Sequence, residues 1–398
     1  MRILINAVSS ARHPSGICRH AANLARSLAK TAEVSHIRLL VGEWQESYFR
    51  RAFRLCDQKL ETCAVNISGK PLDRNCWYLR GLPRAAAEYS ADIVHLSFPV
   101  PFIRGRFTCP VIASLHDLYP YDAPDNFGFP RVIINQLLLR QCLRRSDAIV
   151  CGSDFTLDRL RSIAPRIAAT KAIRIYQCVE VNPANKRQPK LEEIGSRSFL
   201  LTVAQHRSNK NLALLIKAYA ELLRRGAIGR STYLLIIGGD GPETPHLKTL
   251  VSRLSLDDRV HFKASVTDPE LCWLYTNCAA FLAPSVTEGF GMPVIEALLC
   301  GSRTVCSDIP VFREIAGAAC HYLSLQSKSP ASTLADAVQT ALCQQPRRAA
   351  MLERFSARQI GIQYVSLYSR LLNARSSHAG MEPAVSCSQK VPYDRVAG

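Results

Sequence analysis

From one end to the other, the chain alternates short β-branched apolar runs with longer amphipathic stretches of helical period. Nothing else in it restricts the fold so strongly, because parallel sheets covered by helices require this alternation. In the first half "RILINAV", "HIRLLVG", "DIVHLS", "CPVIASLHD", "DAIVCGS" and "AIRIYQCV" read as strands, with helices such as "RHAANLARSLAK" and "PRVIINQLLLRQCLRR" between them. Residues 181–197, "VNPANKRQPKLEEIGSR", are polar and break the alternation as a linker would. A second series follows with "SFLLTVAQ", "TYLLIIGGDG", "RVHFKA", "AAFLAPSV" and "RTVCSD". The expected fold class is α/β, with two Rossmann-like, doubly wound parallel-sheet domains facing a central cleft. The domains span residues 1–180 and 198–373, and a polar tail over 374–398 is expected to be disordered.

Ligands in such sheets collect at the carboxyl ends of the strands. One corner there is unusually crowded: "SVTEGFGMPVIEALLCG", residues 285–301. "FLAPSV" enters it as a strand, Pro293 suits the first position of a helix, and Gly301 suits the position just past its end. Glu288, Gly289, Phe290 and Gly291 then fall in the loop feeding the helix N-terminus, and Glu296 in its first turns. Free N–H groups and the helix dipole attract an anion there, glycines let it approach the backbone, and flanking carboxylates accept hydrogen bonds from hydroxyls. A diphosphate between a sugar and a ribose meets all of these demands. The corner taken alone also admits a plainer reading, in which the glycines shape a turn and Glu296 complements the dipole at the surface.

Composition narrows the partners. A net charge of +18 favours a polyanion: nucleic acid, an anionic membrane surface or a phosphorylated substrate. No helix-turn-helix, zinc-finger or RNP-like pattern accompanies it, so nucleic acid is not expected. The 15 cysteines show no CxxC pair or metal-ligand spacing and read as reduced core thiols. The N-terminus enters a strand directly, and no apolar run reaches the roughly 20 residues of a membrane span. The expected location is therefore the cytoplasm. "SSARHPSGICRH", after the first strand, lacks the full GxGxxG and GxxxxGK[ST] patterns, so neither a dinucleotide fingerprint nor a P-loop is indicated.

"EGFGMPVIE" resembles the E-x7-E signature of the retaining glycosyltransferases of family 4, the group 1 enzymes of GT-B fold. "VAQHRSNKNLALLIKAY", "LLIIGGDGPE", "DDRVHFKASVTDPELCWLY" and "IASLHDLYPYDAP" resemble the family's other blocks in the family's order, and the likeness runs to about residue 370. The resemblance implies an acceptor-side N-terminal domain and a nucleotide-sugar-binding C-terminal domain, whose last helix is free to pack back on the first. It implies that Glu288 contacts the donor sugar and Glu296 the ribose, with the amides of Phe290, Gly291 and Met292 beside sugar and phosphates. Lys210 and Arg207 would bind the diphosphate, Gly16 would let it approach, His116 would lie near the donor sugar, and the backbone of Ser265 and Val266 would read the base. Ala204 and Gln205 stand where the family often has Gly or Gly-Arg, and Cys178 where Gly is usual. No cofactor or metal is implied, the nucleotide sugar being a substrate; no DxD motif is present.

The activity implied is transfer of a hexosyl group, with mannose one candidate, to a saccharide or lipid-linked saccharide in surface polysaccharide or glycolipid synthesis. Two alternatives stay open: a catalytically silent nucleotide-sugar or polyanion binder, and a sugar-nucleotide epimerase of the same fold. "WQESYFRRAFRL" groups Trp44, Tyr48, Phe49 and Phe53 with Arg50, Arg51 and Arg54. It reads either as a basic aromatic helix docking on the inner face of the membrane or as a core-facing aromatic stripe with a solvated basic face.

Overall fold

The structure is a computed structural model, and it describes residues 1–379 apart from 13–14, 54, 123, 125–127, 191–196 and 347–351. Its first sheet is built from β1 (Arg2–Asn6), β2 (His36–Gly42), β3 (Leu60–Val65), β4 (Ile93–Leu96), β5 (Val111–Leu115), β6 (Ala148–Cys151) and β7 (Ala172–Arg174). They lie in the order β3-β2-β1-β4-β5-β6-β7, every pair parallel. The second sheet holds β8 (Phe199–Val203), β9 (Tyr233–Ile237), β10 (Val260–Lys263), β11 (Ala280–Ala283), β12 (Thr304–Ser307) and β13 (His321–Leu323), in the order β10-β9-β8-β11-β12-β13. Strand order reverses between β1 and β4 in one sheet and between β8 and β11 in the other. A crevice opens at such reversals.

Burial explains why the strand runs are so uniformly apolar. Every residue of β4, β5 and β6 is buried, because helices cover both sheet faces. β3 is the edge strand, half exposed along its length, and its sequence "LETCAV" accordingly carries a weak signal.

Ser15 caps the helix Gly16–Ala29, its side chain accepting from the amide of Cys18. Against this helix packs the last described one, Ala357–Ala379, which thus returns to the first domain. Helical structure continues to Ala379, beyond position 374 where the tail was expected to begin; the remainder of that tail, 380–398, lies outside the described residues. No helix among the described residues is long and apolar enough to cross a membrane.

One open alternative is decided. The helix Glu43–Phe53 turns its aromatic side inward: Phe49 and Phe53 are fully buried, and the hydroxyl of Tyr48 donates to the carbonyl of Ala11 and accepts from Gln45. Trp44 lies over Gly42, while Arg50 and Arg51 face solvent and Arg54 lies outside the described residues. The aromatic rings that a membrane surface would need are committed to the core.

Candidate active site

Four loops meet in the crevice, each from the carboxyl end of a strand flanking a reversal or beside one: 16 after β1, 116–119 after β5, 207–210 after β8 and 285–291 after β11. The crowded corner folds as its residues require. Gly291 caps the helix Met292–Leu299 with φ of 93°, a left-handed conformation, and a Cβ there would meet the ring of Phe312 at 2.6 Å. Pro293 sits in the first turn, where a missing N–H costs nothing.

Lys210 ends the short turn Ser208–Lys210, and its ammonium lies 2.6 Å from Oε1 of Glu288. The hydroxyl of Ser285 donates to the same oxygen at 2.8 Å. Glu296 is buried on the 292–299 helix, where it accepts from the hydroxyl of Tyr275 at 2.9 Å and lies 3.7 Å from the guanidinium of Arg19. Arg19 comes from the first domain and bonds Asp268 of the second at 2.7 Å. Burial disfavours its charge, but the carboxylates of Glu296 and Asp268 outweigh burial and raise its pKa. Burial, reinforced by Glu296, raises that of Tyr275.

The domains touch at Gly289. Its carbonyl accepts from Ser153 at 2.7 Å and Thr156 at 3.1 Å, and a Cβ on it would fall 1.8 Å from the carbonyl oxygen of His116. Gly16 similarly faces Met292. The space between the domains is uneven: about 600 Å³ beside Arg19, Asp268, Tyr275 and Glu296, but about 0 Å³ where Asp117 and Tyr119 face Glu288 and Gly289. The cleft is closed at Gly289.

His116 has both ring nitrogens engaged. Nε2–H donates to the carbonyl of Ser97 at 2.7 Å, and Nδ1 accepts from Gln177 at 3.1 Å. Burial pushes its pKa down to about 4, so the ring is neutral and has no lone pair free for a substrate proton. These two bonds tie the ring to the segments that follow β4 and β7. Asp117, beside it, is pushed up to about 6 by burial, against the pull of the Tyr119 amide and of Lys210. Arg207 is partly buried and close enough to act on Asp117 and Tyr119 electrostatically.

Phe290 is present only through its backbone, since its ring packs against Tyr176 and Phe355 in the core. Ser265 is exposed and Val266 half-buried against the core, in the loop between β10 and the helix Asp268–Asn277. Sequence reasoning missed Arg19, Tyr275 and Asn209, whose amide donates to the hydroxyl of Tyr119 and the carbonyl of Thr287. Among the described residues no cluster of three or more His, Cys, Asp or Glu suits a metal ion.

Two doubly wound parallel-sheet domains, with a helix N-terminus and flanking carboxylates at their junction, form a two-domain architecture of GT-B type. Comparison with known proteins agrees: a family model described as Glycosyltransferase Family 4 matches residues 14–182, and one described as Glycosyl transferases group 1 matches residues 184–357. The chain belongs to the group 1, family 4 glycosyltransferases and is an enzyme of that family. It is 26% identical over 340 residues to the O-antigen chain mannosyltransferase B of Escherichia coli, covering 79% of this chain and 84% of that one. It is 28% identical over 216 residues to the O-antigen chain mannosyltransferase RfbU of Salmonella typhimurium, covering 54% of this chain and 56% of the relative. The crystal structure of Anabaena Alr3699/HepE in complex with UDP and glucose shares the fold, with TM-score 0.68 at 18% identity over 93% of this chain and 100% of that chain.

Proposed function

We propose that the protein transfers a hexosyl group, mannose, from a nucleotide-diphosphate sugar to a saccharide carried on a lipid, with retention of anomeric configuration, in surface polysaccharide synthesis. The observation that carries this reading is the Lys210–Glu288 pair at 2.6 Å beside the start of the 292–299 helix, with buried Glu296 one turn further on. The relatives named as O-antigen mannosyltransferases support the choice of sugar and of acceptor class.

In this reading Glu288 receives hydroxyls of the donor sugar and Glu296 those of the ribose. Loss of the nucleoside diphosphate builds negative charge on the phosphates, and Lys210, Arg207 and the helix N-terminus meet it. Each well-aimed group of this kind contributes on the order of 3 kcal/mol in the transition state. Glu288 holds Lys210 in place, so the lysine needs no reorganisation as charge develops. The engaged ring of His116 removes it as a base, and attack from the leaving-group face, with a donor phosphate oxygen taking the acceptor proton, fits that loss. The backbone of Ser265 and Val266 contacts the base, and the amides of Gly291 and Met292 the phosphates, while Gly16 leaves them room.

Saturation-transfer NMR against UDP-, GDP- and ADP-sugars tests the site directly. One nucleotide should bind the wild type, and Glu296→Ala and Lys210→Ala should each weaken it at least tenfold. If no nucleotide sugar binds the folded protein, the reading fails.

A further inference from the structure

The helix Arg131–Arg145 buries Leu139, Cys142 and Leu143 against the first domain, yet its opposite face is also apolar. Ile133 and Ile134 are 46% and 51% exposed, Leu137 is 62% exposed, and Phe129 just before the helix is 84% exposed. Residues 133, 137, 140 and 144 fall on one stripe at helical spacing, so Arg140 and Arg144 continue the line that Ile133 and Leu137 begin. Arg131 and Arg145 flank it, and Lys171 sits at its end, bonded to the carbonyls of Arg144 and Ser146 at 2.8 Å each. From Gly128 to Ser146 the chain contains no acidic residue. A contiguous apolar patch rimmed by charge marks an interaction site.

We propose that this face seats the enzyme on an anionic phospholipid bilayer, with Phe129, Ile133, Ile134 and Leu137 entering the boundary between headgroups and acyl chains and the arginines pairing with phosphates. Apolar residues on one side of a helix with cations beside them and no acids match such a surface in both polarity and charge. A second copy fits poorly, because a twofold contact would set this acid-free face and its arginines against an identical one, with no carboxylate on either to pair them. The net charge of +18 adds to the attraction for an anionic surface. The seat also lies beside the cleft: Gln136 donates to the carbonyl of Pro120 at 2.7 Å, tying the helix to the segment that carries Tyr119 to the site. A lipid-carried acceptor would thus reach the enzyme from its docked side; this use of the surface rests on the proposed acceptor class, whereas the docking itself does not.

Flotation of the full chain with vesicles of phosphatidylglycerol and phosphatidylethanolamine, against vesicles of phosphatidylcholine alone, tests the proposal. The wild type should float with the anionic vesicles only. Ile133→Ser combined with Leu137→Ser should weaken binding at least tenfold, and Arg140→Gln and Arg144→Gln by about fivefold each at low salt. Arg50→Gln combined with Arg51→Gln, on the helix whose rings face the core, should change it far less. Nucleotide-sugar binding by NMR should match the wild type in the Ile133/Leu137 variant, which separates the two readings: donor binding without flotation overturns docking alone, and flotation without donor binding supports docking while the transferase site fails. Equal flotation of all variants overturns the proposal, as does a concentration-dependent dimer that the Ile133/Leu137 variant abolishes.

Discussion

At Gly289 the two domains approach so closely that one methyl group decides whether the cleft can shut. A Cβ there would lie 1.8 Å from the carbonyl oxygen of His116 and 3.1 Å from Cβ of Asp117, and both obstacles belong to a loop anchored by the engaged His116 ring. Gly289→Ala should hold the domains apart at a cost of about 1–3 kcal/mol, the usual range for overpacking. We expect kcat/KM to fall by about tenfold to a hundredfold in a donor-turnover assay, with the urea midpoint lowered by no more than that cost. Wild-type turnover in this variant would show that closure through Gly289 does not matter. Glu288, Gly289, Gly291 and Glu296 could be picked out from sequence because they form one local run whose spacing carries its own chemistry. Arg19 could not, because its partner Asp268 is 249 positions away and only the meeting of two domains brings them together. The engagement of His116 was equally hidden, as it depends on Ser97 and Gln177 from separate strand ends.

Among the elements, the strands buried on both faces were the easiest to read, since full burial forbids polar residues and leaves continuous apolar runs. β3 and the three-residue β13 escaped, one because its edge position admits Glu61 and Thr62, the other because three residues establish no period. The orientation of the 43–53 helix was undecidable from its own sequence, where aromatic and basic residues alternate; its neighbours settle it by burying Phe49 and Phe53. The last helix depends on one close approach. At Gly361 a Cβ would stand 2.4 Å from the carbonyl oxygen of Ser27 on the 16–29 helix. Gly361→Ala gains about 1 kcal/mol of helix propensity, but the clash with backbone costs about 1–3 kcal/mol. The net expectation is a loss of up to about 2 kcal/mol, read as a lower urea midpoint at unchanged slope. An unchanged or higher midpoint would mean that the helix pair has slack.

The molecule as a whole carries a buried polar cluster where the last helix, the 16–29 helix and the first sheet meet. Oγ of Ser114 lies 3.0 Å from His20 and 2.8 Å from His95, whose other nitrogen is 2.7 Å from the hydroxyl of Tyr368. The ring of His20 meets that of His116 edge-on at 4.5 Å. Burial, the dominant cause in each case, lowers the pKa of His95 to about 3, that of His116 to about 4, and that of His20 well below its ordinary value. As pH falls below about 6.5 the unfolded chain therefore takes up these protons first, and stability present above that pH is lost at about 1.4 kcal/mol per pH unit for each imidazole. Asp117 works the other way. With its pKa raised to about 6, its neutral form suits the folded state, so its contribution is complete below about pH 4 and lost as pH rises through 6. Three histidines against one aspartate leave a net loss of about 3 kcal/mol per pH unit between about pH 6 and 4.5. Over that interval the loss comes to about 4 kcal/mol, a large share of a typical total stability of about 5–15 kcal/mol. The urea midpoint should hold between pH 7.5 and 6.5 and then drop steeply, and His95→Gln, if it folds, should make the drop shallower by about one proton. A midpoint flat down to pH 5 would mean that these rings find water or acidic partners on protonation. Because His116 anchors the loop against which Gly289 closes, donor turnover should be lost over the same interval, coupling the acid limit of the fold to that of the site.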